Sequence, residues 1–257
     1  PEKATIYVQS DLPEAIELYL FLNMNAYLGE LMRCTSFKEK ARKQPNNVNA
    51  GLLTYPTLMA ADILIHRAMK VPVGKDQEQH LEMTRDYATR FNHLYKVDFF
   101  PKPQAYNFGE QLVKVPGLDG TSKMGKSDGN AIYLIDEPEI IRKKIMKAVT
   151  DSGPIEPNQE KSEASANLFA LMSIASKSET LEYFEDKYNN CSIRYGDMKK
   201  QLAEDLINLL QPIRQKIIDV SQDADYISKM VQMGKEKAKE SAISTIKQVR
   251  EIIGFKT

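Results

Sequence analysis

The sequence is poor in cysteine: Cys34 and Cys191 are its only two, and they lie far apart in the chain. Neither has a second cysteine or paired histidines at the spacing of metal ligands. The sequence therefore indicates neither a disulfide framework nor a structural zinc site, and we predict no metal-ligating residues. So few cysteines are typical of a reducing compartment, which leads us to expect a cytoplasmic protein.

Long apolar runs and an excess of one charge are also missing. No stretch approaches the roughly 18 consecutive apolar residues of a transmembrane helix, and no basic segment followed by an apolar one marks a secretory signal. The 35 Lys and Arg residues equal the 35 Asp and Glu residues, and both halves of the chain are close to balance. We therefore expect no membrane partner, and any nucleotide or RNA site must arise from local placement of charge.

The stretch Lys123-Met124-Gly125-Lys126-Ser127 places two lysines and a serine in a glycine-containing loop. Glycine lets a loop move, and ammonium groups bind phosphate oxygens, so the pattern favours a mobile cationic clamp for phosphate. Solvated polar loops show such patterns by chance as well. The choice between these two interpretations depends on the other motifs of the chain.

Upstream of this loop, strand-like and helical patterns alternate. A β-rich run at 4–10 leads into an apolar helix from 14 to about 32, which we predict to be buried in the core or against a second subunit. Short strands are predicted at 70–74 and 111–115. In open α/β sheets ligands bind beyond the carboxyl ends of strands, so the turn at 74–77 is predicted to face a substrate.

The apolar helix predicted at 57–67 contains the carboxylate of Asp62. Burying this group without a donor would be costly, so its partner is either solvent and a neighbouring backbone group or a ligand. Further along, His80 follows the turn at 74–77. We interpret it as a structural hydrogen-bonded histidine rather than a site residue.

Beyond residue 134 the pattern becomes helical throughout. Helical segments are predicted at 137–147, 168–176, 180–188, 199–219 and 241–253. Four basic residues lie in the first of them: Arg142, Lys143, Lys144 and Lys147. This face suits contact with phosphate or RNA, although a solvated helix face has the same pattern.

A family resemblance is carried by five motifs in one order. They are Phe37–Lys40, Thr54–Pro56 with Leu58–Leu64, Val71–Gln77 with His80 and Arg85, Lys123–Ser127, and Lys147–Ser152. In order and spacing they resemble the bacterial-type tryptophanyl-tRNA synthetases, a family of class I aminoacyl-tRNA synthetases. The resemblance covers nearly the whole chain and thins after about residue 190, and five motifs in one order rarely coincide by chance.

The resemblance implies an α/β fold with two domains. Residues 1–134 would form part of a Rossmann-like nucleotide-binding domain, which has a helical insertion and a KMSKS-type loop. Residues 135–257 would form an all-helical tRNA anticodon-binding domain. The resemblance implies tryptophan–tRNA ligase activity, in which L-tryptophan and ATP give tryptophanyl-adenylate and diphosphate and the aminoacyl group then passes to tRNA(Trp). It also implies Mg²⁺ and no DNA partner. Together with the apolar helix at 14–32, the family suggests a homodimer.

By the same resemblance, catalysis needs no nucleophilic side chain. Lys123 and Lys126 would stabilise the charge that develops as diphosphate leaves, helped by Mg²⁺ and by Lys38 or Lys40. The family's ATP-binding positions correspond to Gly74, Lys75, Asp76, Val115, Lys123, Met124, Gly125, Lys126 and Ser127. Its tryptophan-binding positions correspond to Tyr55, Met59, Asp62 and Gln77.

The resemblance gives Asp62 a partner, the indole N–H of tryptophan. A buried acceptor left unpaired would disfavour phenylalanine, which has no such donor. Since the phenol of tyrosine can also donate, a tyrosyl-tRNA synthetase is the nearest alternative. The other alternative is a catalytically inactive synthetase-like fragment that binds RNA or a partner.

Two features depart from the family's pattern. Gly125 stands where the signature most often has serine, so we expect altered loop dynamics with retained function. The family's His-x-Gly-His type of turn after the first strand has no counterpart, and the sequence begins at Pro1 rather than Met. We therefore expect an N-terminal segment to be missing and the 257-residue chain to be inactive by itself.

Overall fold

A computed structural model describes residues 3–74, 77–106, 115–120, 123–126 and 128–255. The chain divides into two compact units, the first made of Pro1–Leu112 and Asp225–Thr257 and the second of Val113–Ala224. The C-terminal segment therefore belongs to the first unit, although in sequence it follows the second. The domain boundary expected between residues 134 and 135 stays a prediction.

The described residues are mostly helical, with a small parallel sheet. In chain order the helices are α1 (Pro13–Met24), α2 (Leu28–Arg33), α3 (Thr35–Lys43), α4 (Ala50–Leu64), α5 (Glu78–Tyr95), α6 (Pro138–Lys147), α7 (Glu163–Ala175), α8 (Ser178–Asn189), α9 (Tyr195–Ser221) and α10 (Ala224–Ile253). Among these described helices none is both long and apolar enough to cross a membrane.

The sheet of the first unit consists, in the described part of the chain, of β1 (Lys70–Pro72) and β2 (Gln104–Tyr106). The two strands are parallel, and Val71 of β1 stands opposite Ala105 of β2. The strand predicted at 70–74 is thus confirmed. Most of the strand predicted at 111–115 lies outside the described residues.

The prediction of a strand at 4–10 is wrong. The backbone is extended at Val8 and then enters a 3-10 turn at Gln9–Asp11. The segment lies against α10, where a Cβ built on Gly234 would stand 1.8 Å from the carbonyl oxygen of Ile6. Only a residue without a side chain fits this close backbone approach, so packing on a helix replaces pairing in a sheet.

The single helix expected from 14 to about 32 is two helices, α1 and α2, separated by residues 25–27. Arg90 of α5 accounts for the break. Its guanidinium donates to the backbone carbonyl of Asn25 at 2.9 Å and makes two further hydrogen bonds of 2.9 Å to the Glu30 carboxylate. The carbonyl group at the end of α1 thus finds its partner on another helix rather than within a continued one.

The core of the first unit joins α1, α4, α5 and α10. The last helix contributes the buried residues Ala238, Ala242, Ile246 and Val249. Arg250 of α10 also binds the Glu17 carboxylate of α1 through hydrogen bonds of 2.7 and 2.5 Å. Burial of this apolar stripe is the main reason that α10 joins the N-terminal part of the chain.

The second unit packs α6, α7, α8 and α9 around a separate core that includes Ile145, Met172, Tyr188 and Leu202. The helices predicted at 137–147, 168–176, 180–188 and 199–219 are confirmed by these four elements. A buried lysine, Lys199, donates to the Ala148 carbonyl at 2.6 Å, at the end of α6. Burial lowers the pKa of Lys199, and the negative end of the helix favours its charge.

Asp151 holds the start of α7. Its carboxylate accepts hydrogen bonds from the Ser165 hydroxyl at 2.7 Å, the Tyr195 hydroxyl at 2.6 Å and the Gly153 N–H at 2.8 Å, and one from the hydroxyl of Ser162, which caps the helix. Burial raises the pKa of Asp151. The four hydrogen bonds favour the charged form more strongly, so the pKa falls to about 2.

We expect Asp151 to stabilise the second unit only while it is charged. Its folded-state pKa of about 2 lies below the ordinary value of 3.8, so the stabilisation is complete above 3.8 and is lost as the pH falls toward 2. The free energies of unfolding of the wild type and of Asp151→Asn, measured by urea titration, should differ near neutral pH and converge in that window. A difference that does not change with pH would contradict this prediction.

Candidate functional site

Tyr55, Met59 and Asp62 lie on one face of α4, because residues four and seven positions apart point the same way on a helix. Asn49 caps this helix by accepting a hydrogen bond from the Leu52 N–H at 2.9 Å. The three side chains are half-buried, whereas the opposite face of α4 enters the core of the first unit. The structure thus brings three of the predicted tryptophan-site residues together on the open side of one helix.

Asp62 has a donor within the protein. The side-chain amide of Gln9 donates to Asp62 Oδ2 at 2.6 Å, across 53 positions of sequence. Burial raises the pKa of the Asp62 carboxyl, and the hydrogen bond from Gln9 opposes that rise. A carboxylate has about four lone-pair sites, so one bond from Gln9 leaves capacity for another N–H donor. The sequence pattern does not identify Gln9, because no local period links it to Asp62.

His80, which is 2% exposed, joins two of the predicted site residues. Its Nδ1 lies 2.8 Å from Gln77 Oε1, and its Nε2 lies 2.9 Å from both the Tyr55 hydroxyl and Ser36 Oγ. Ser36 and Tyr55 also hydrogen-bond to each other, and Cys34 Sγ is 3.6 Å from Nε2. The hydrogen bonds predicted for His80 are confirmed, whereas its exclusion from the site stays a prediction. The sequence patterns did not identify Ser36 and Cys34 as part of this cluster. The one sequence feature that could have pointed to them is the Phe37–Lys40 motif, which begins at the residue after Ser36.

Lys38 and Lys40 are both exposed on α3. The Lys40 ammonium lies 4.3 Å from the centroid of the Tyr55 ring, which is a cation–π distance. This contact brings Lys40 beside the α4 face. The catalytic role of Lys38 stays a prediction.

The turn after β1 carries Gly74 and Gln77. The Gln77 N–H donates to the Gly74 carbonyl at 2.9 Å, and this bond turns the chain into α5. Both residues are half-buried. Three further predicted ATP-site residues, Lys75, Asp76 and Ser127, lie outside the described residues.

The stretch 123–127, here named the lysine loop, belongs to the second unit. Lys123 pairs with Pro116 in an isolated antiparallel bridge, and the Met124 N–H donates to the Val115 carbonyl at 2.9 Å. The Met124 side chain packs against the core of this unit, while Lys123 and Lys126 are exposed. Exposed ammonium groups on an anchored backbone suit the binding of phosphate oxygens.

Asn130 anchors the backbone of this loop from a position that is 4% exposed. Its Oδ1 accepts from the Gly125 N–H at 2.9 Å, and its Nδ2 donates to the Lys123 carbonyl at 3.2 Å and to Asp119 Oδ2 at 2.9 Å. A Cβ built on Gly117 would stand 2.2 Å from Asn130 Nδ2, so this neighbouring backbone has to be glycine. The sequence patterns missed Asn130, whose place after a glycine in a turn is a weak signal.

The sequence and the fold are both similar to those of known proteins. The family model for class I tRNA synthetases (W and Y) matches residues 1–211. The tryptophan–tRNA ligase of Porphyromonas gingivalis is 64% identical over 256 residues, which are 100% of this chain and 78% of that protein. The tryptophan–tRNA ligase of Listeria monocytogenes serotype 4b is 42% identical over 260 residues, covering 99% of this chain and 76% of that protein.

A solved structure gives the same likeness in three dimensions. The tryptophanyl-tRNA synthetase of Campylobacter jejuni, complexed with ADP and tryptophan, superposes with a TM-score of 0.85 at 31% identity. The match covers 99% of this chain and 78% of that one. The similarity therefore extends over the whole chain, in sequence and in fold.

Proposed function

The chain belongs to the class I tRNA synthetases of the tryptophan and tyrosine type, and from this premise we propose the role of each residue in its reaction. The activity is that of a tryptophan–tRNA ligase, since the relatives that are 64% and 42% identical are ligases for tryptophan rather than tyrosine. The observation that supports the site is the open face of α4, where Asp62 stands three positions after Met59 and seven positions after Tyr55.

The first half-reaction needs charge stabilisation rather than a protein nucleophile. A carboxylate oxygen of tryptophan bonds to the α-phosphorus of ATP while the bond from that phosphorus to the diphosphate oxygen breaks. Negative charge develops on the leaving diphosphate, and we assign its stabilisation to Lys123 and Lys126. Their exposure and the anchoring of their loop by Asn130 support this role. Lys38 or Lys40 would add a further positive charge.

Tryptophan is assigned to the α4 face. Asp62 would accept the indole N–H, because its carboxylate retains acceptor capacity beside Gln9. Met59 would line the slot for the indole ring. Tyr55 and Gln77 would accept hydrogen bonds from the α-ammonium group, and their common contact with His80 supports this pairing.

ATP is assigned to the turn after β1 and to the lysine loop. Gly74 and Asp76 would serve the ribose region, Val115 the adenine, and Ser127 a phosphate oxygen together with the two lysines. Lys75, Met124 and Gly125 would also bind ATP. Mg²⁺ would supply charge neutralisation on the ATP phosphates. The described residues contain no group of three or more His, Cys, Asp or Glu side chains that could hold a metal ion.

The helical part of the chain after residue 134 is assigned to the tRNA anticodon. Two of the four basic residues of α6, Arg142 and Lys144, form ion pairs with carboxylates of the second unit. Lys143 and Lys147 are exposed, so these two are the cations of α6 that we assign to a phosphate backbone.

A homodimer is supported by an exposed apolar face on α1. Ile16, Leu20 and Met24 are 50%, 53% and 77% exposed, although they are large apolar side chains at helical spacing. A second copy of the chain would cover this face. We also expect a cytoplasmic protein, on the cysteine content alone.

Leu20→Asp is expected to give a monomer, because a carboxylate at the centre of this face would lose its solvent on association. The molar mass from light scattering should fall by about half relative to the wild type. The matched control is Tyr183→Asp, which puts the same charge on an exposed apolar position of α8 and should leave the mass unchanged. A wild-type protein of monomeric mass would refute the dimer.

Exchange of labelled diphosphate into ATP tests the activity directly. The full-length protein is expected to catalyse exchange with tryptophan and not with tyrosine, followed by charging of tRNA(Trp). Absence of exchange with tryptophan would refute the proposed activity and favour the inactive-fragment alternative. Exchange with tyrosine instead would show that the assigned substrate is wrong.

A further inference from the structure

The polar cluster around His80 has a definite proton arrangement. Gln77 Oε1 is a carbonyl oxygen and can only accept, so the proton between it and His80 Nδ1, 2.8 Å away, belongs to the histidine. The neutral ring then has no proton on Nε2. This nitrogen is an acceptor, and it is buried, so it requires a donor.

Two hydroxyl groups stand around that acceptor. Ser36 Oγ and the Tyr55 hydroxyl are each 2.9 Å from Nε2, and they also hydrogen-bond to each other. Burial raises the pKa of Tyr55, so its phenol keeps its proton near neutral pH. The Cys34 thiol, 3.6 Å from Nε2, is a weaker donor and also lies within reach of Gln79 Oε1.

With a hydroxyl as the donor to Nε2, the Tyr55 proton points into the cluster in either arrangement. The contact between the two oxygens needs one proton between them. If Ser36 supplies it, Tyr55 donates to Nε2, because the phenol is closer to Nε2 and a stronger donor than the Cys34 thiol; if Tyr55 supplies it, Ser36 donates to Nε2. In both cases the lone pairs of the Tyr55 oxygen, and not its proton, remain for a group approaching from the open face of α4.

We infer that His80 is a positioning residue for the ammonium group of the substrate, acting through Tyr55 and Gln77. By accepting at Nε2 it makes the Tyr55 oxygen an acceptor, and by donating from Nδ1 it holds the carbonyl of Gln77 in place. An ammonium group is a donor only, so two oriented oxygen acceptors match it. The inference rests on the proposed function, because it requires an amino acid at this site.

Paired binding measurements separate this role from simple support of the fold. The probes are L-tryptophan and indole-3-propionate, which keeps the indole and the carboxylate but lacks the ammonium group. In His80→Ala and in the bulkier His80→Phe of the full-length protein, calorimetry is expected to show tryptophan affinity reduced by about tenfold or more. Affinity for indole-3-propionate should stay within about twofold of the wild type, since no ammonium is bound.

The matched control is His93→Ala, an exposed histidine on the same helix, which should change neither affinity. In steady state, the His80 variants should raise KM for tryptophan and leave KM for ATP unchanged. Equal loss of both probes, or no loss of either, would overturn the inference while leaving the proposed function intact. Failure of the wild type to bind tryptophan at all would overturn the proposed function itself.

Discussion

Asp62→Ala is expected to lower kcat/KM for tryptophan by about 100-fold or more while leaving KM for ATP within about twofold. The carboxylate is half-buried on α4, and within the described part of the chain it accepts a hydrogen bond from the amide of Gln9. Removal of the Asp62 carboxylate would leave the indole N–H of tryptophan without an acceptor. The variant should also discriminate less against phenylalanine, because the buried acceptor that penalises a ligand without an N–H is gone. Diphosphate exchange with each amino acid measures both effects.

Two companion variants make this experiment specific. Asp62→Asn keeps a carbonyl oxygen that can accept, so its loss should be smaller than that of Asp62→Ala. Asp86→Ala removes an exposed carboxylate from α5 and should leave both constants unchanged. A comparable loss for tryptophan and ATP in Asp62→Ala would speak against the indole contact.

The second large effect is expected from Asn130→Ala, which should reduce kcat for diphosphate exchange by about 100-fold without changing tryptophan affinity. Its side chain links the Gly125 N–H, the Lys123 carbonyl and the Asp119 carboxylate. Without it the lysine loop loses a buried anchor, and misplacement of catalytic groups by about 1 Å costs about 100-fold in rate. Stopped-flow or exchange kinetics give kcat, and calorimetry without ATP gives tryptophan affinity.

Asn190→Ala is the matched control for this variant, because it removes an exposed amide that donates a local hydrogen bond to Asp186. It should leave both measurements unchanged. Lys126→Ala should reproduce the selective loss of kcat, since it removes one of the cations that Asn130 helps to place. An unaltered kcat in Asn130→Ala would show that the loop does not depend on this anchor.

Local patterns in the sequence predicted the features that neighbouring residues decide. Tyr55, Met59 and Asp62 share a face because the period of a helix is 3.6 residues, and the helices of the second unit follow from their amphipathic spacing. The α/β class, with a Rossmann-like part followed by helices, is confirmed by the parallel pair β1 and β2 and by the likeness to the Campylobacter jejuni structure.

Predictions that depended on the surroundings of a segment were less successful. The β-rich run at 4–10 has the composition of a strand, but it packs on α10 through the close approach of Ile6 to Gly234. The apolar pattern from 14 to 32 reads as one helix, but Arg90 binds the backbone at its middle. In each case a residue distant in sequence outweighs local propensity.

By itself, the sequence determined the motifs and most of the helices, because these depend on residue type and short spacing; the chemistry of the motifs was implied by their resemblance to a family. Only the tertiary structure decided that Gln9 meets Asp62 across 53 positions and that Ser36 meets His80 across 44. It alone showed that Asn130 anchors the lysine loop, through hydrogen bonds with the backbone of Lys123 and of Gly125. The physical reason is that hydrogen bonds of buried groups are set by which surfaces pack together, and packing joins segments that no local period relates.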